Sequence, residues 1–104
     1  MAWRLRLSGH AVLAERFRCR EGEIDIVAKR GRTLRFIEVK QRQKAEQAVE
    51  PVTARSEARI LRASEVWMAR HPRIMERCRE LRYDIVTVTG RGRVHTHRDA
   101  FRGW

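Results

Sequence analysis

Asp25, Glu38 and Lys40 are the residues of this sequence whose types and spacing could do chemistry. They lie in two runs of period-two alternation, Gly22-Glu23-Ile24-Asp25-Ile26-Val27-Ala28 and Thr33-Leu34-Arg35-Phe36-Ile37-Glu38-Val39-Lys40. Between the runs stands the basic, glycine-containing segment Lys29-Arg30-Gly31-Arg32. This is the pattern of a β-hairpin. Two carboxylates brought close on its face can hold a hard divalent cation, whose oxygen ligands sit at about 2.0–2.1 Å. Lys40, two residues beyond Glu38, projects to the same side. Two acids and a lysine on one sheet face can bind such a metal and position an attacking water.

The hairpin register decides how close the acids come. In the first run Ile24, Ile26 and Ala28 share one face, and Glu23, Asp25 and Val27 the other. In the second, Ile37 and Val39 share one face, and Leu34, Phe36, Glu38 and Lys40 the other. A fully solvated face has no need of phenylalanine, so the Asp25/Glu38 face is expected to be half covered. With Arg30-Gly31 at the tip, Glu23 faces Glu38 and Asp25 lies diagonal to it. A slip of two residues sets Asp25 directly opposite Glu38. A slip of one would send the polar side chains to the wrong face. Both surviving registers hold the two β-carbons roughly 5 to 8 Å apart.

An aspartate, then about a dozen residues, then Glu-x-Lys on the next strand resembles the PD-(D/E)XK nuclease pattern. Gly22-Glu23-Ile24-Asp25-Ile26-Val27-Ala28, Phe36-Ile37-Glu38-Val39-Lys40-Gln41-Arg42, Arg82-Tyr83-Asp84-Ile85-Val86-Thr87-Val88 and His97-Arg98-Asp99-Ala100-Phe101 follow in order. Together they resemble the YraN-like family of small bacterial proteins, of the restriction-endonuclease-like superfamily, from about Leu5 to Phe101. The resemblance implies Asp25, Glu38 and Lys40 as catalytic residues. Asp25, Glu38 and the carbonyl of Val39 would then be ligands of Mg²⁺ or Mn²⁺. Relatives of that family usually carry a longer first helix with a Gly-Glu-x-x-Ala segment, whose glutamate would be an accessory metal-site acid, and a lysine near the position of Ser56. This chain departs from both, so a truncated first helix is expected within one domain spanning 1–104.

The composition points to the partner. Lys and Arg number 24 against 13 Asp and Glu, a formal net charge of +11, and the isoelectric point is near 11.4. Most of the excess is arginine, whose planar fork suits phosphates. An acidic cluster within so basic a protein suggests metal at the acids and a polyanion around them. Arg42, Lys44, Arg55 and Arg59 are the candidate backbone-binding residues, with DNA the expected nucleic acid rather than RNA. No apolar run approaches the ~20 residues that cross a bilayer, and no signal segment opens the chain. A cytoplasmic protein with no membrane partner is therefore expected. Cys19 and Cys78 lack zinc spacing and are expected as free thiols. A homodimer is compatible with the chain, although no residue demands one.

The remaining elements must position the hairpin. Met1 to Leu7 reads as the tail of a helix that Gly9 stops, and His10 to Arg20 as a first strand. Gln41 to Glu50 is a polar loop beside the site, in which Glu46 and Glu50 fit solvated acids better than metal ligands. Pro51 to His71 is the main helix, with Thr53 as N-cap; Ile60, Ala63 and Trp67 form its apolar stripe, and Arg55, Arg59 and Arg62 a basic ridge. Pro72 ends it, and Ile74 to Glu80 can add one turn. Leu81 to Thr89 is a strand, in which Asp84 fits an ion pair with an arginine better than a third metal acid. Gly90 to Arg93 is a turn, and Val94 to Thr96 a short returning strand. His95 and His97 share a face, but zinc needs three or four ligands. The tail, Asp99 to Trp104, is expected to pack an aromatic against the body.

This order predicts an α/β domain, a mixed central β-sheet flanked by helices, in agreement with the restriction-endonuclease-like core that the resemblance implies. Two functions follow as expectations. One is a metal-dependent endonuclease acting on DNA or structured nucleic acid by phosphodiester hydrolysis. The alternative is a non-catalytic nucleic-acid-binding module that retains the nuclease fold.

Overall fold

The computed structural model describes residues 2–42, 54–90 and 92–97. The alternating runs form the expected strands. After α1 (Ala2–Leu7), β1 (Ala11–Cys19), β2 (Gly22–Arg30) and β3 (Thr33–Arg42) make an antiparallel meander. The long helix α2 (Ala54–Arg70), the single turn α3 (Pro72–Met75), β4 (Glu80–Thr89) and β5 (Val94–His97) follow. One five-stranded sheet has the order β1-β2-β3-β4-β5. The β3–β4 pair is parallel and the others are antiparallel. The parallel pair is the consequence of α2, since strands joined through a helical crossover return in the same direction. The architecture is α/β, a mixed sheet with helices. Among the described residues no helix is long and apolar enough to cross a membrane.

Local signals set most of the boundaries. At the end of α1 the Gly9 N–H donates to the Arg6 carbonyl (3.2 Å) and the His10 N–H to the Leu5 carbonyl (2.9 Å). Gly9 itself takes φ +84°. That is a Schellman cap, which needs a left-handed residue at this point. The hairpin chooses the register with Gly31-Arg32 at its tip, Arg30 pairing with Thr33 and Ile26 with Ile37. Gly31 alone of the two turn residues has a positive φ, +59°, as in the turns whose twist matches paired strands. The third strand runs two residues further than expected. Gln41 and Arg42 continue β3, because β4 is long enough to pair with them through Val88 and Thr89.

The sheet buries both faces. Against α2 lie Ile24, Val27, Leu34, Phe36, Tyr83 and Ile85, closed by Ile60, Ala63 and Trp67. Phe36 stacks on Tyr83 with ring centroids 5.1 Å apart and meets the edge of Trp67 at 6.1 Å. The buried Tyr83 hydroxyl donates to Ser64 Oγ (2.7 Å), since the Ser64 hydrogen is already given to the Leu61 carbonyl. The other face carries Leu5, Ile26, Ala28, Ile37 and Val86. Ile24 departs from the alternation, joining the α2 cluster instead of Ile26 and Ala28. The departure falls beyond Ile26, where the β2–β3 ladder has ended and the strand is no longer held flat by a neighbour on that side.

Asp84 is fully buried and pairs with Arg35 Nε (2.6 Å) and Arg82 Nη2 (2.9 Å), the ion-pair role expected of it. Cys19 and Cys78 are free thiols. The expected Thr53 cap, Lys44, Glu46, Glu50 and the aromatic tail lie outside the described residues, as does the side chain of His97.

Candidate active site

The β2–β3 ladder stops at the Ile26–Ile37 pair. One residue further, a side chain takes over from the main chain: Asp25 Oδ2 accepts a hydrogen bond from the Val39 N–H at 2.7 Å. Every strand N–H needs an acceptor, and here the acceptor is a carboxylate rather than the neighbouring carbonyl. The two strands are thereby tied at a point where they no longer pair, and a cavity of about 110 Å³ opens beside Asp25 and Glu38.

Helix α2 forms the opposite wall with Ser56, Arg59 and Ile60. It comes this close because position 22 is glycine. A Cβ on Gly22 would stand 2.2 Å from the Arg59 carbonyl oxygen, so any side chain there would push the helix off the sheet. Exposed Glu23 stands at the cavity mouth and is drawn outward by Arg18, 3.3 Å away.

Glu38 is the electrostatic centre of the cavity. Its Oε2 is buried with no hydrogen-bond partner, the sole side-chain nitrogen or oxygen in that condition among the described residues. Burial raises the Glu38 pKa above its ordinary value; the Lys40 charge opposes the rise and the Asp25 charge adds to it. An unsatisfied buried acceptor costs about 1–3 kcal/mol, and more when charged. A cation would remove that cost. Among the described residues no group of three or more His, Cys, Asp or Glu could hold a metal. Asp25 and Glu38 are two carboxylates on the cavity wall, a set as small as Mg²⁺ accepts, since that ion usually keeps several waters and takes only one or two carboxylates.

Asp25, Glu38 and Val39 are thus brought together. Lys40 is half-buried on β3, near enough for its charge to act on Glu38. Arg59 lies on the cavity wall, while Arg55 is exposed one turn earlier on α2. Arg42 stands at the end of β3, where its Nη1 donates to the Gln41 carbonyl at 3.0 Å. Sequence reasoning did not assign Gly22, Glu23 or Ser56 to the site. Gly22 carried a signal, because a glycine at a strand's start often marks a close approach of another element. Glu23 carried one as well, since the alternation put it on the Asp25 face, and Ser56 lay near the place where the resembled family usually carries lysine; that both line one cavity depends on how α2 crosses the sheet.

Residues 1–88 match the model of the uncharacterised protein family UPF0102. The chain belongs to UPF0102. This is the YraN-like family that the ordered motifs resembled. A UPF0102 protein of Methylorubrum extorquens is 44% identical over 87 residues, covering 84% of this chain and 66% of the relative. One from Rhodopseudomonas palustris is 42% identical over 84 residues, covering 81% and 63%. One from Bradyrhizobium diazoefficiens is 41% identical over 87 residues, covering 84% and 64%. The chain thus spans slightly less than two thirds of the length of these UPF0102 relatives. Asp25, Glu38 and Lys40 fall inside the stretch matched by the UPF0102 model; β5 and the final motif fall outside it.

Proposed function

We propose that this UPF0102 protein has a restriction-endonuclease-like core and hydrolyses phosphodiester bonds in DNA or structured nucleic acid. The observation that carries the reading is Glu38 Oε2, a buried acceptor without a partner in a cavity shared with Asp25. Asp25 and Glu38 would hold Mg²⁺ or Mn²⁺ with the Val39 carbonyl, which leaves an extended strand on the same side as the N–H bonded to Asp25. Such a cation supplies Lewis acidity toward the phosphoryl oxygen and acidifies a coordinated water. Asp25 is fixed by the Val39 N–H. Lys40 sets a positive charge beside Glu38, where it can orient the attacking water or offset charge on the scissile phosphate. Arg59 and Arg55 on α2, with Arg42 at the end of β3 and Lys44 two residues on in sequence, would hold the backbone. Among the described residues no apparatus for reading base edges accompanies them, so shape or end recognition fits better than a specific base sequence. The reading places the protein in the cytoplasm.

Incubating purified protein with plasmid and branched DNA, in Mg²⁺, in Mn²⁺ and in chelator, tests this. Cleavage is expected with metal alone and is lost in Asp25→Asn, Glu38→Gln and Lys40→Ala. Activity that survives all three substitutions, or that separates from the protein during purification, refutes the assignment.

A second reading has its own support. Ser56 lines the cavity near the place where the resemblance to YraN-like proteins implies a lysine, so the phosphate would lose one positive neighbour. A nucleic-acid-binding module without turnover would bind tightly in every metal and cleave in none.

A further inference from the structure

On the other face of the sheet, at the hairpin end, lies a second polar cavity of about 300 Å³. It is lined by three arginines, Arg30, Arg35 and Arg82, by His10, and by the hydroxyls of Ser8, Thr33 and Thr96. The fold gathers them from five elements, with Thr96 supplied by β5. Arg35 and Arg82 are register partners in the parallel β3–β4 ladder. Arg30 and Thr33 are the last pair of the hairpin, and Ser8 and His10 arrive from the cap of α1.

Charge and donors are both in surplus here. Asp84 is the one acid these arginines meet among the described residues, and Arg35 and Arg82 share its Oδ2. Arg30 makes no ion pair within that set. Each guanidinium carries five N–H donors. Arg35 uses two groups, Nε toward Asp84 and Nη1 toward His10 Nε2 at 3.1 Å.

The second of those contacts fixes the histidine. Arginine can only donate, so Nε2 must accept and the ring is neutral. The ring hydrogen then sits on Nδ1 and is given to Ser8 Oγ at 3.1 Å, and Ser8 in turn donates to the Leu5 carbonyl. The imidazole faces Arg35 from β3, Arg30 from β2 and Arg82 from β4, with Ser8 and the Leu5 carbonyl behind it. Burial, then the Arg35 and Arg30 charges, lower its pKa.

We propose that this cavity binds a tetrahedral phosphate group. Three guanidinium forks converge on one polar space with hydroxyls between them, which matches an anion with several acceptor oxygens better than a planar carboxylate. The site is separate from Asp25 and Glu38 and does not depend on their role.

The test follows the His10 imidazole by NMR in inorganic phosphate and in chloride of equal ionic strength. Phosphate is expected to raise the His10 pKa where chloride does not, and to bind more tightly as the pH falls through that titration. Arg30→Gln, which leaves the Asp84 pairs intact, should weaken binding about tenfold, the loss of one charge-assisted hydrogen bond. Asp25→Asn and Glu38→Gln should bind phosphate as wild type does. A short single strand with and without a 5′-phosphate identifies the source. Tighter binding of the phosphorylated strand alone means a phosphomonoester, and equal binding of both, tighter than free phosphate, means a backbone phosphate. An equal response to chloride, or undiminished binding in Arg30→Gln, overturns the proposal.

Discussion

Asp25 and Val39 are 14 positions apart in sequence, yet the carboxylate of one holds the main-chain N–H of the other at 2.7 Å. The contact makes Asp25 and Glu38 unequal. Asp25 has a fixed partner and a fixed orientation, whereas Glu38 keeps a buried oxygen with nothing to accept from. An arrangement of this kind costs stability while it is empty, a common property of sites kept for function rather than for the fold.

Thermal melts should expose that cost. In chelator Glu38→Gln is expected to melt at the same temperature as wild type or higher, because the substitution removes a buried negative charge. The sign with pH follows from the raised Glu38 pKa. Below the ordinary value of 4.5 the residue is protonated in both states and costs nothing. As the pH rises from there toward the higher folded value, the unfolded chain loses its proton first, so stability falls. The advantage of the variant should therefore appear at neutral pH and vanish in acid. Millimolar Mg²⁺ or Mn²⁺ should raise the melting point of wild type but not of Glu38→Gln, since a ligand stabilises only the state that binds it. A large loss in chelator, with no response to metal in wild type, would make Glu38 a structural residue.

The other buried acid behaves in the opposite way. Asp84 compensates Arg35, whose side chain is 9% exposed, and Arg82. Asp84→Asn strands a buried cation and is expected to cost about 3–5 kcal/mol by denaturant unfolding. Replacing Asp84 and Arg35 together by Leu and Met should recover much of that loss, because the two most buried charges go together and only Arg82, whose side chain is 20% exposed, loses this acid. Equal losses in the single and double variants would show that the pair contributes only packing.

Asp84 also marks how far the sequence could be read. A lone acid in an apolar strand of an arginine-rich chain announces an ion pair, and the strand pattern placed β2, β3, β4 and the apolar stripe of α2. The alternation left two hairpin registers open, because a shift of two preserves every face. The tie from Asp25 to Val39 belongs to the register with Gly31-Arg32 at the tip. Ile24 broke the alternation, since period-two reasoning assumes a strand paired on both sides. The lining of the cavity by Ser56 and Arg59, and the meeting of His10 with three arginines, depend on tertiary crossings that no local pattern encodes.

Two glycines separate steric from conformational cost. A methyl group on Gly22 would meet the Arg59 carbonyl oxygen at 2.2 Å, with backbone on both sides. Gly22→Ala is therefore expected to lose about 1–3 kcal/mol through overpacking and to weaken metal binding by shifting α2. At Gly31 a methyl group meets nothing within 4 Å, but φ is +59°. Gly31→Ala should lose only the left-handed penalty of about 1–2 kcal/mol and leave metal binding intact. Chemical denaturation and a metal titration of both variants check this, and normal metal binding in Gly22→Ala would mean that the position of α2 does not shape the site.

The basic surface makes a prediction that any nucleic acid can test. Arg55, Arg59 and Arg62 are exposed along α2, and Arg59 adjoins the acidic cavity. A duplex strand delivered to Asp25 and Glu38 would run beside this ridge. If about five phosphates are neutralised, the logarithm of the binding constant should fall with the logarithm of salt concentration with a slope near −4 to −5, and with little preference for sequence. Each of Arg55→Gln and Arg59→Gln should flatten that slope by about 0.9, the contribution of one phosphate contact. The loss should be uniform across sequences, because backbone contacts carry no base information. A wild-type slope near zero would remove nucleic acid as the partner. A normal slope in both variants would assign the ridge to solvent and move the phosphate contacts to other arginines.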